Sequence, residues 1–411
     1  MTRYIYLDKL ISRQNNGLIK VITGIARCGK SYLIFNSFYD YLIKQGVGES
    51  HIIELPLKDR GYKRLHDSDV MIKYIQGKIE DSDTYYIFID ELNLLNDYDS
   101  VIALLLQLGN VDVYITGGDN VFLKEKIIAA YDIDTEEIQV LPLCYRELVE
   151  ANNSDKQIAM KNYLLYGGMP MVSWMNSESE KKQYLYKILS TKYLPEIVDK
   201  YNVKNIDELV ELTRLLAYQI GELTNPLQIA NAFENSKNWH LTDKTVKNYI
   251  TYLSNEMLIY KVLRYDIKKK KVINTPSKYY FEDIGLANTF YDFEDINESK
   301  SIQNVIFNEL KLRGYEVYIG VVELNYRGDD GKNKKKQLEI DFMAVKGDKR
   351  YYIQSSQEDN YQEKHKNLMY IKDSFKKIIV DENDVLYRRD EYGILTIGLT
   401  DFLYDENSLD L

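Results

Sequence analysis

A β-branched run, Ile19 to Thr23, leads into Gly24-Ile25-Ala26-Arg27-Cys28-Gly29-Lys30-Ser31, and the apolar-patterned stretch Tyr32 to Ile43 follows. This is the G-x-x-x-x-G-K-[ST] spacing, and no other feature constrains the chain as strongly. Strand, glycine loop and helix in that order predict a loop whose main-chain N–H groups curl around a phosphate. Gly24 and Gly29 permit the curl, Lys30 reaches the β/γ oxygens of ATP, and the Ser31 hydroxyl ligates Mg²⁺. Read alone, the motif is also compatible with a glycine turn before a helix, so a second motif is needed.

Tyr86-Ile87-Phe88-Ile89-Asp90-Glu91 supplies it. An apolar run ending in two carboxylates suits a central parallel strand whose C-terminal edge faces a ligand. Asp90 is then expected to hold the Mg²⁺ shell and Glu91 to orient and deprotonate an attacking water. A third run, Val111 to Thr116, ends in Thr116-Gly117-Gly118-Asp119-Asn120. Thr116 reads equally as a γ-phosphate-sensing catalytic group and as a strand-to-loop turn. With His51–Leu55 and Glu137–Leu141, these runs predict a five-stranded α/β P-loop domain over residues 1–148.

Composition sets the frame for the rest. The chain has 411 residues, 45% of them apolar and 28% charged, which excludes a disordered or collagen-like polymer. With 63 acidic and 53 basic residues the net charge is -10, so any nucleic-acid contact has to come from a local basic patch. Cys28 and Cys144 cannot build a disulfide framework, and four scattered histidines argue against a histidine metal centre. The N-terminal stretch lacks the apolar core of a signal peptide, and no run approaches the ~18 apolar residues of a membrane span. A cytoplasmic protein without membrane contact is the expectation.

From 149 to 293 the pattern turns helical. Val246, Tyr249, Ile250, Leu253 and Met257 follow helical spacing behind Thr242, a candidate N-cap. The opposite face carries Lys244, Lys247 and Asn248, residue types that suit DNA phosphates and base edges. Strands Leu258–Arg264 and Lys278–Phe281 follow, joined through Lys268-Lys269-Lys270-Lys271. Helix-turn-helix and basic hairpin outline a winged helix, which either binds DNA or serves as a lid and docking domain.

Residues 294–411 have a third texture. A helix, Ser301 to Leu312, carries Glu309; the strand Leu338–Val345 carries Asp341; Tyr351–Ser356 carries Gln354. This is the layout of restriction-endonuclease-like nucleases, in which such groups bind Mg²⁺ and a lysine two residues later activates water. Here that position is Ser356, and a lysine on a neighbouring element, such as Lys364, is the substitute the sequence offers. An endonuclease-like fold kept for docking fits the same residues.

Together the motifs resemble those of prokaryotic AAA-type, STAND-related P-loop ATPases whose C-terminal domain of unknown function has a restriction-endonuclease-like fold. The resemblance runs through Ile22–Ser31, Phe88–Glu91, Tyr114–Gly117, Leu141-Pro142-Leu143, Gly167-Gly168-Met169-Pro170, Tyr280–Gly285, Asn308-Glu309-Leu310, Glu339–Phe342 and Ile353-Gln354. It implies an N-terminal AAA/ASCE-type parallel sheet, a central winged-helix segment and ATP hydrolysis. Three departures stand out: Ala26 where relatives usually have Arg, Gly118 where they have Ser, and Ala129-Ala130-Tyr131-Asp132 where they have a Gly-Arg pair. If that arginine acts on the γ-phosphate, this chain is a slow ATPase or takes the group from a homo-oligomer or protein partner, since such an arginine is worth about 10³–10⁵ in rate. The expected function is thus an ATP-driven switch with an endonuclease-like output or docking domain. The alternatives are an ATP-gated, metal-dependent DNA nuclease and a non-catalytic DNA-binding regulator.

Overall fold

Every residue of β1 (Ile19–Thr23) is buried in the computed structural model, which describes residues 3–117, 135–237, 241–327, 333–383 and 385–411. Four more strands run parallel to it: β2 (Ile52–Pro56), β3 (Tyr85–Asp90), β4 (Val111–Thr116) and β5 (Thr135–Gln139). Their order is β2-β3-β4-β1-β5. The central strands are buried and mostly apolar because both faces are covered. Ile87 and Ile89 of β3 join a core with Met71, Ile75, Val101, Ile102 and Leu105, from helices Ser68–Lys78 and Tyr98–Gln107. Phe88 points the other way, edge-on to Tyr114 and within 5.7 Å of the Phe38 ring. The expected five-stranded sheet is present, with β2 and β5 shifted by one or two residues. The helix after the glycine loop starts at Lys30, passes through a π-helical stretch, Leu33–Phe38, and ends as Tyr39–Lys44.

The chain divides into two compact units, Met1–Pro142 and Leu143–Leu411. This departs from the expected boundaries at 148 and 293, and backbone pairing explains the second departure. β6 (Ile259–Asp266) and β7 (Lys271–Phe281) form the expected hairpin, but β6 also pairs in parallel with β8 (Glu316–Arg327). The hairpin therefore belongs to one eight-stranded sheet with β9 (Asn333–Lys346), β10 (Lys349–Ser356), β11 (Lys376–Asp381), β12 (Arg388–Arg389) and β13 (Leu395–Gly398). Its order is β12-β13-β11-β10-β9-β8-β6-β7. A hairpin whose N–H and C=O groups are shared with later strands cannot be a separate domain from them.

Helices Ile206–Tyr218, Pro226–Lys237 and Asp243–Asn255 precede the hairpin. Thr242 caps the last of these, accepting from Thr245 N at 3.1 Å, and Val246, Tyr249, Ile250 and Leu253 are its buried stripe. Gly167-Gly168 forms a close joint: a Cβ on Gly168 would lie 1.9 Å from the Leu143 carbonyl oxygen. Gly168 N donates to Asp283 Oδ2 at 2.6 Å, and the same carboxylate caps Leu286 N at 3.2 Å. Burial pushes the Asp283 carboxyl up to about 6. Among the described residues no helix is long and apolar enough to cross a membrane.

Candidate functional site

The glycine loop lies at the C-terminal end of β1, beside the ends of β3 and β4. Gly24 has φ 138°, and a Cβ there would meet the Val140 carbonyl oxygen at 2.1 Å, so only glycine fits. Arg27 takes a left-handed backbone (φ 64°) with an exposed side chain, and Gly29 turns with φ 106°. Ile25 is buried and Ala26 half-buried. Cys28 is buried, and its thiol donates to Val140 O at 3.1 Å. Lys30 is buried as well, with Nζ on the carbonyl oxygens of Gly24 at 2.6 Å and Ile25 at 3.1 Å. No side chain caps the following helix at Gly29, so its first N–H groups open toward the loop.

Asp90 joins the other parts. Ser31 Oγ donates to Asp90 Oδ2 at 2.9 Å, and Thr116 Oγ1 donates to Asp90 Oδ1. Thr116 Oγ1 in turn accepts from Glu91 N at 3.1 Å. The structure thus brings Ser31, Asp90 and Thr116 into one hydrogen-bonded chain across three strand ends. Glu91 follows with φ 58°, a conformation that non-glycine residues seldom adopt, and its Oε1 is ion-paired with Lys58 Nζ. A hydroxyl and a carboxylate are the hard oxygen donors that suit Mg²⁺. An ammonium and a helix N-terminus beside them suit phosphates, so the residues present fit Mg²⁺ and ATP. Gly118 and the segment Ala129–Asp132 lie outside the described residues.

Two contributors escape sequence reasoning. Arg3 is buried, and its guanidinium donates to Cys28 O at 2.8 Å, Leu141 O at 2.8 Å and Pro142 O at 3.2 Å. It ties the loop to the chain after β5, yet an arginine near an N-terminus carries no local signature. Lys58, just beyond β2, is found beside Glu91 only because β2 and β3 are neighbours. The structure also gathers His51, Asp81 and Asp83, whose ligand atoms lie within 4.8 Å, although the scattered histidines gave no such expectation. His51 is already bonded to Asp81 at 3.2 Å.

Asp341 and Gln354 meet where β9 and β10 part: Asp341 N donates to Gln354 Oε1 at 3.1 Å, and Gln354 Nε2 donates to Glu339 O at 3.0 Å. Asp341 Oδ2 accepts from Ser355 N at 3.0 Å. Lys364, on helix Tyr361–Met369, places Nζ 2.8 and 2.6 Å from the two Asp341 oxygens and 3.5 Å from Gln354 Oε1. Ser356 turns to Asp381 Oδ2 at 3.3 Å instead. Glu309 accepts from Arg313 Nε at 2.7 Å, one helical turn on, and Arg313 continues to Ser408 Oγ at 2.9 Å. Burial pushes the Glu309 carboxyl up, with Arg313 opposing.

On helix Asp243–Asn255, Lys244, Lys247 and Asn248 are exposed as expected. Lys247 is paired with Asp243 at 2.8 Å, which halves the cationic charge of that face. In the β6–β7 turn, Lys268 Nζ donates to Glu323 O at 2.8 Å, and Lys269 Nζ lies 3.3 Å from Asp266 Oδ2.

The sequence profile of the AAA domain family matches residues 16–149, and that of a domain of unknown function, DUF8612, matches residues 157–297. Residues 16–149 are thus an AAA-type P-loop domain. An uncharacterized protein of Haemophilus influenzae is 31% identical over 412 residues, covering 98% of each chain. An uncharacterized protein of Methanocaldococcus jannaschii is 24% identical over 379 residues, covering 88% of this chain and 80% of its own. Among solved structures, Cdc6p from Pyrobaculum aerophilum aligns over 70% of this chain and 92% of its own at 11% identity, with a TM-score of 0.31, too low to argue from.

Proposed function

The chain belongs to the family of that full-length Haemophilus influenzae relative, and on that premise we propose that it is an ATP-binding switch protein that hydrolyses ATP slowly. The observation that carries this reading is the hydrogen-bonded chain Ser31–Asp90–Thr116 beside the buried Lys30 ammonium. Lys30 Nζ exchanges the Gly24 and Ile25 carbonyls for β/γ-phosphoryl oxygens, and the loop N–H groups of Gly24 to Ser31 bind the remaining phosphate oxygens. Ser31 and Asp90 would hold Mg²⁺, which supplies neutralisation of phosphate charge. Glu91 positions and deprotonates the attacking water once Lys58 releases its carboxylate, and Thr116 reports the γ-phosphate to the backbone of Glu91. If the family's usual Gly-Arg pair acts on the γ-phosphate, its replacement by Ala129-Ala130-Tyr131-Asp132 makes turnover slow or dependent on a cation from a second copy or a partner. Lys30→Ala should abolish ATP binding in a calorimetric titration, and unchanged affinity would defeat the reading. Glu91→Gln should keep binding and stop phosphate release.

For the second unit the proposal is an output or docking module with a restriction-endonuclease-like fold. What supports it is strand arrangement: β8, β9 and β10 form an antiparallel meander, and a helix then returns the chain to β11, parallel to β10. The helices at 206–255 and the β6–β7 hairpin have the succession of a winged helix, for which DNA contact through Lys244, Lys247 and Asn248 is the corresponding proposal. A second reading, a metal-dependent nuclease, is favoured by the meeting of Asp341 with Gln354, and it requires Lys364, now on both Asp341 oxygens, to leave the carboxylate and act on water.

A further inference from the structure

Beyond the nucleotide site, and independent of it, the second unit carries a basic surface assembled from two distant segments. β6 follows β8 only as far as Asp266↔Val321, and β10 follows β9 only to Ile353↔Phe342. From Val322↔Leu338 to Arg327↔Asn333, β8 and β9 pair with each other alone among the described residues, as a two-stranded ribbon leaving the sheet. Lys334, Lys335 and Lys336 are consecutive and exposed on it. Consecutive strand positions alternate, so cations occupy both ribbon faces, with Lys334 and Lys336 about 6.7 Å apart on one of them.

The β6–β7 turn joins the base of this ribbon. Lys268 Nζ donates to Glu323 O at 2.8 Å across 55 residues of sequence, Lys269 Nζ is 3.6 Å from Glu323 Oε2, and Lys335 Nζ is 2.9 Å from Glu323 Oε1. Glu323 is thus the meeting point of two lysine clusters. In residues 266–272, 323–327 and 333–337 there are eight cationic side chains against two carboxylates, Asp266 and Glu323, in a chain of net charge -10. Lys270, Lys271 and Lys336 make no ion pair among the described residues. Mutual repulsion of these cations opposes folding, and a bound polyanion relieves it.

We propose that this surface binds the phosphate backbone of a nucleic-acid duplex without reading its sequence. A duplex carries about one charge per 1.7 Å of axis, so alternate lysines about 6.7 Å apart on a strand span about two phosphates of either DNA strand. Tyr326 and Val272 are the large apolar side chains exposed here, too few for the buried anchors on which a protein interface depends. The face of helix Asp243–Asn255 is the weaker candidate, because Asp243 offsets Lys247.

The test is fluorescence anisotropy of the full chain with a labelled random-sequence duplex about two helical turns long. Binding should fall about a thousandfold between roughly 50 and 200 mM salt, as for about six phosphate contacts. Lys270→Gln with Lys271→Gln, and separately Lys334→Gln with Lys336→Gln, should each lower the salt slope by about 2, one per lysine removed. Lys244→Gln with Lys247→Gln should lower it by about 1 at most, because Asp243 already offsets Lys247. Wild-type slopes in both hairpin variants, with circular dichroism showing them folded, would overturn the proposal. So would loss of binding only in the helix variant, and so would polyglutamate displacing the duplex at equal charge concentration, which would point to an acidic protein partner.

Discussion

Lys58 Nζ is ion-paired with Oε1 of Glu91, the carboxylate placed one residue beyond the metal-site aspartate. Lys58 is 53% exposed, and pairs of this kind are worth about 0.2–1 kcal/mol. Holding Glu91 in the pair keeps its carboxylate from the attacking water, but only by that amount. Lys58→Met should therefore raise basal phosphate release by about fivefold at most, with ATP affinity unchanged. A steady-state phosphate assay reads this, and a fall in rate would mean that Lys58 orients Glu91 rather than restrains it.

Arg3 fastens the phosphate loop from outside the motif. Its guanidinium serves three carbonyl oxygens at once, which a single ammonium cannot span. Arg3→Met should cost about 2–4 kcal/mol, because buried carbonyls lose a charged donor, and ATP affinity should fall with it as Cys28 loosens. Arg3→Lys should recover only part of either. Urea unfolding and calorimetry check both, and wild-type values in Arg3→Met would show that water replaces the guanidinium at no penalty.

How much of this was legible beforehand depended on whether the responsible residues were neighbours in sequence. The loop at 24–31, the carboxylates at 90 and 91 and the helix behind Thr242 are local patterns whose chemistry and period can be read directly. Lys20 is not: it sits fully buried within β1, paired with Asp112, which also accepts from Tyr114 OH at 2.8 Å. That pairing exists only because β1 and β4 are adjacent. The Glu309–Arg313 pair, one helical turn apart, is by contrast a local pattern. The single sheet of the second unit was hidden because β6 joins β8 across a long helical excursion.

Asp283 predicts a pH dependence. In the unfolded chain its carboxyl ionises near the ordinary 3.8, whereas in the folded protein burial moves this to about 6. Between those values the folded state binds more protons than the unfolded one. The stability contributed by the protonated form is complete below about 3.8 and is lost as pH rises through 6, about 3 kcal/mol in all. Other carboxylates also titrate in this window, so the quantity to measure is the difference between wild type and Asp283→Asn in urea unfolding across it. That difference should shift by about 3 kcal/mol; a constant difference would show that Asp283 stays ionised, held by the Gly168 and Leu286 N–H groups.

The Asp341–Lys364 pair decides what the endonuclease-like centre does. With the ammonium within 2.8 Å of both oxygens, the carboxylate is closed to a divalent cation, and wild-type protein should not nick supercoiled plasmid with Mn²⁺. Lys364→Ala leaves a nearly inaccessible carboxylate unpaired, which should cost about 3 kcal/mol. Mn²⁺ should restore that loss by binding the folded state alone, at about 2.7 kcal/mol when present at a hundred times its dissociation constant. The rescue must vanish when Asp341→Asn is added, which separates it from any Mn²⁺ effect at Ser31 and Asp90. Nicking by the wild type that disappears in Asp341→Asn would instead establish the nuclease reading, with Lys364 leaving the carboxylate to act on water.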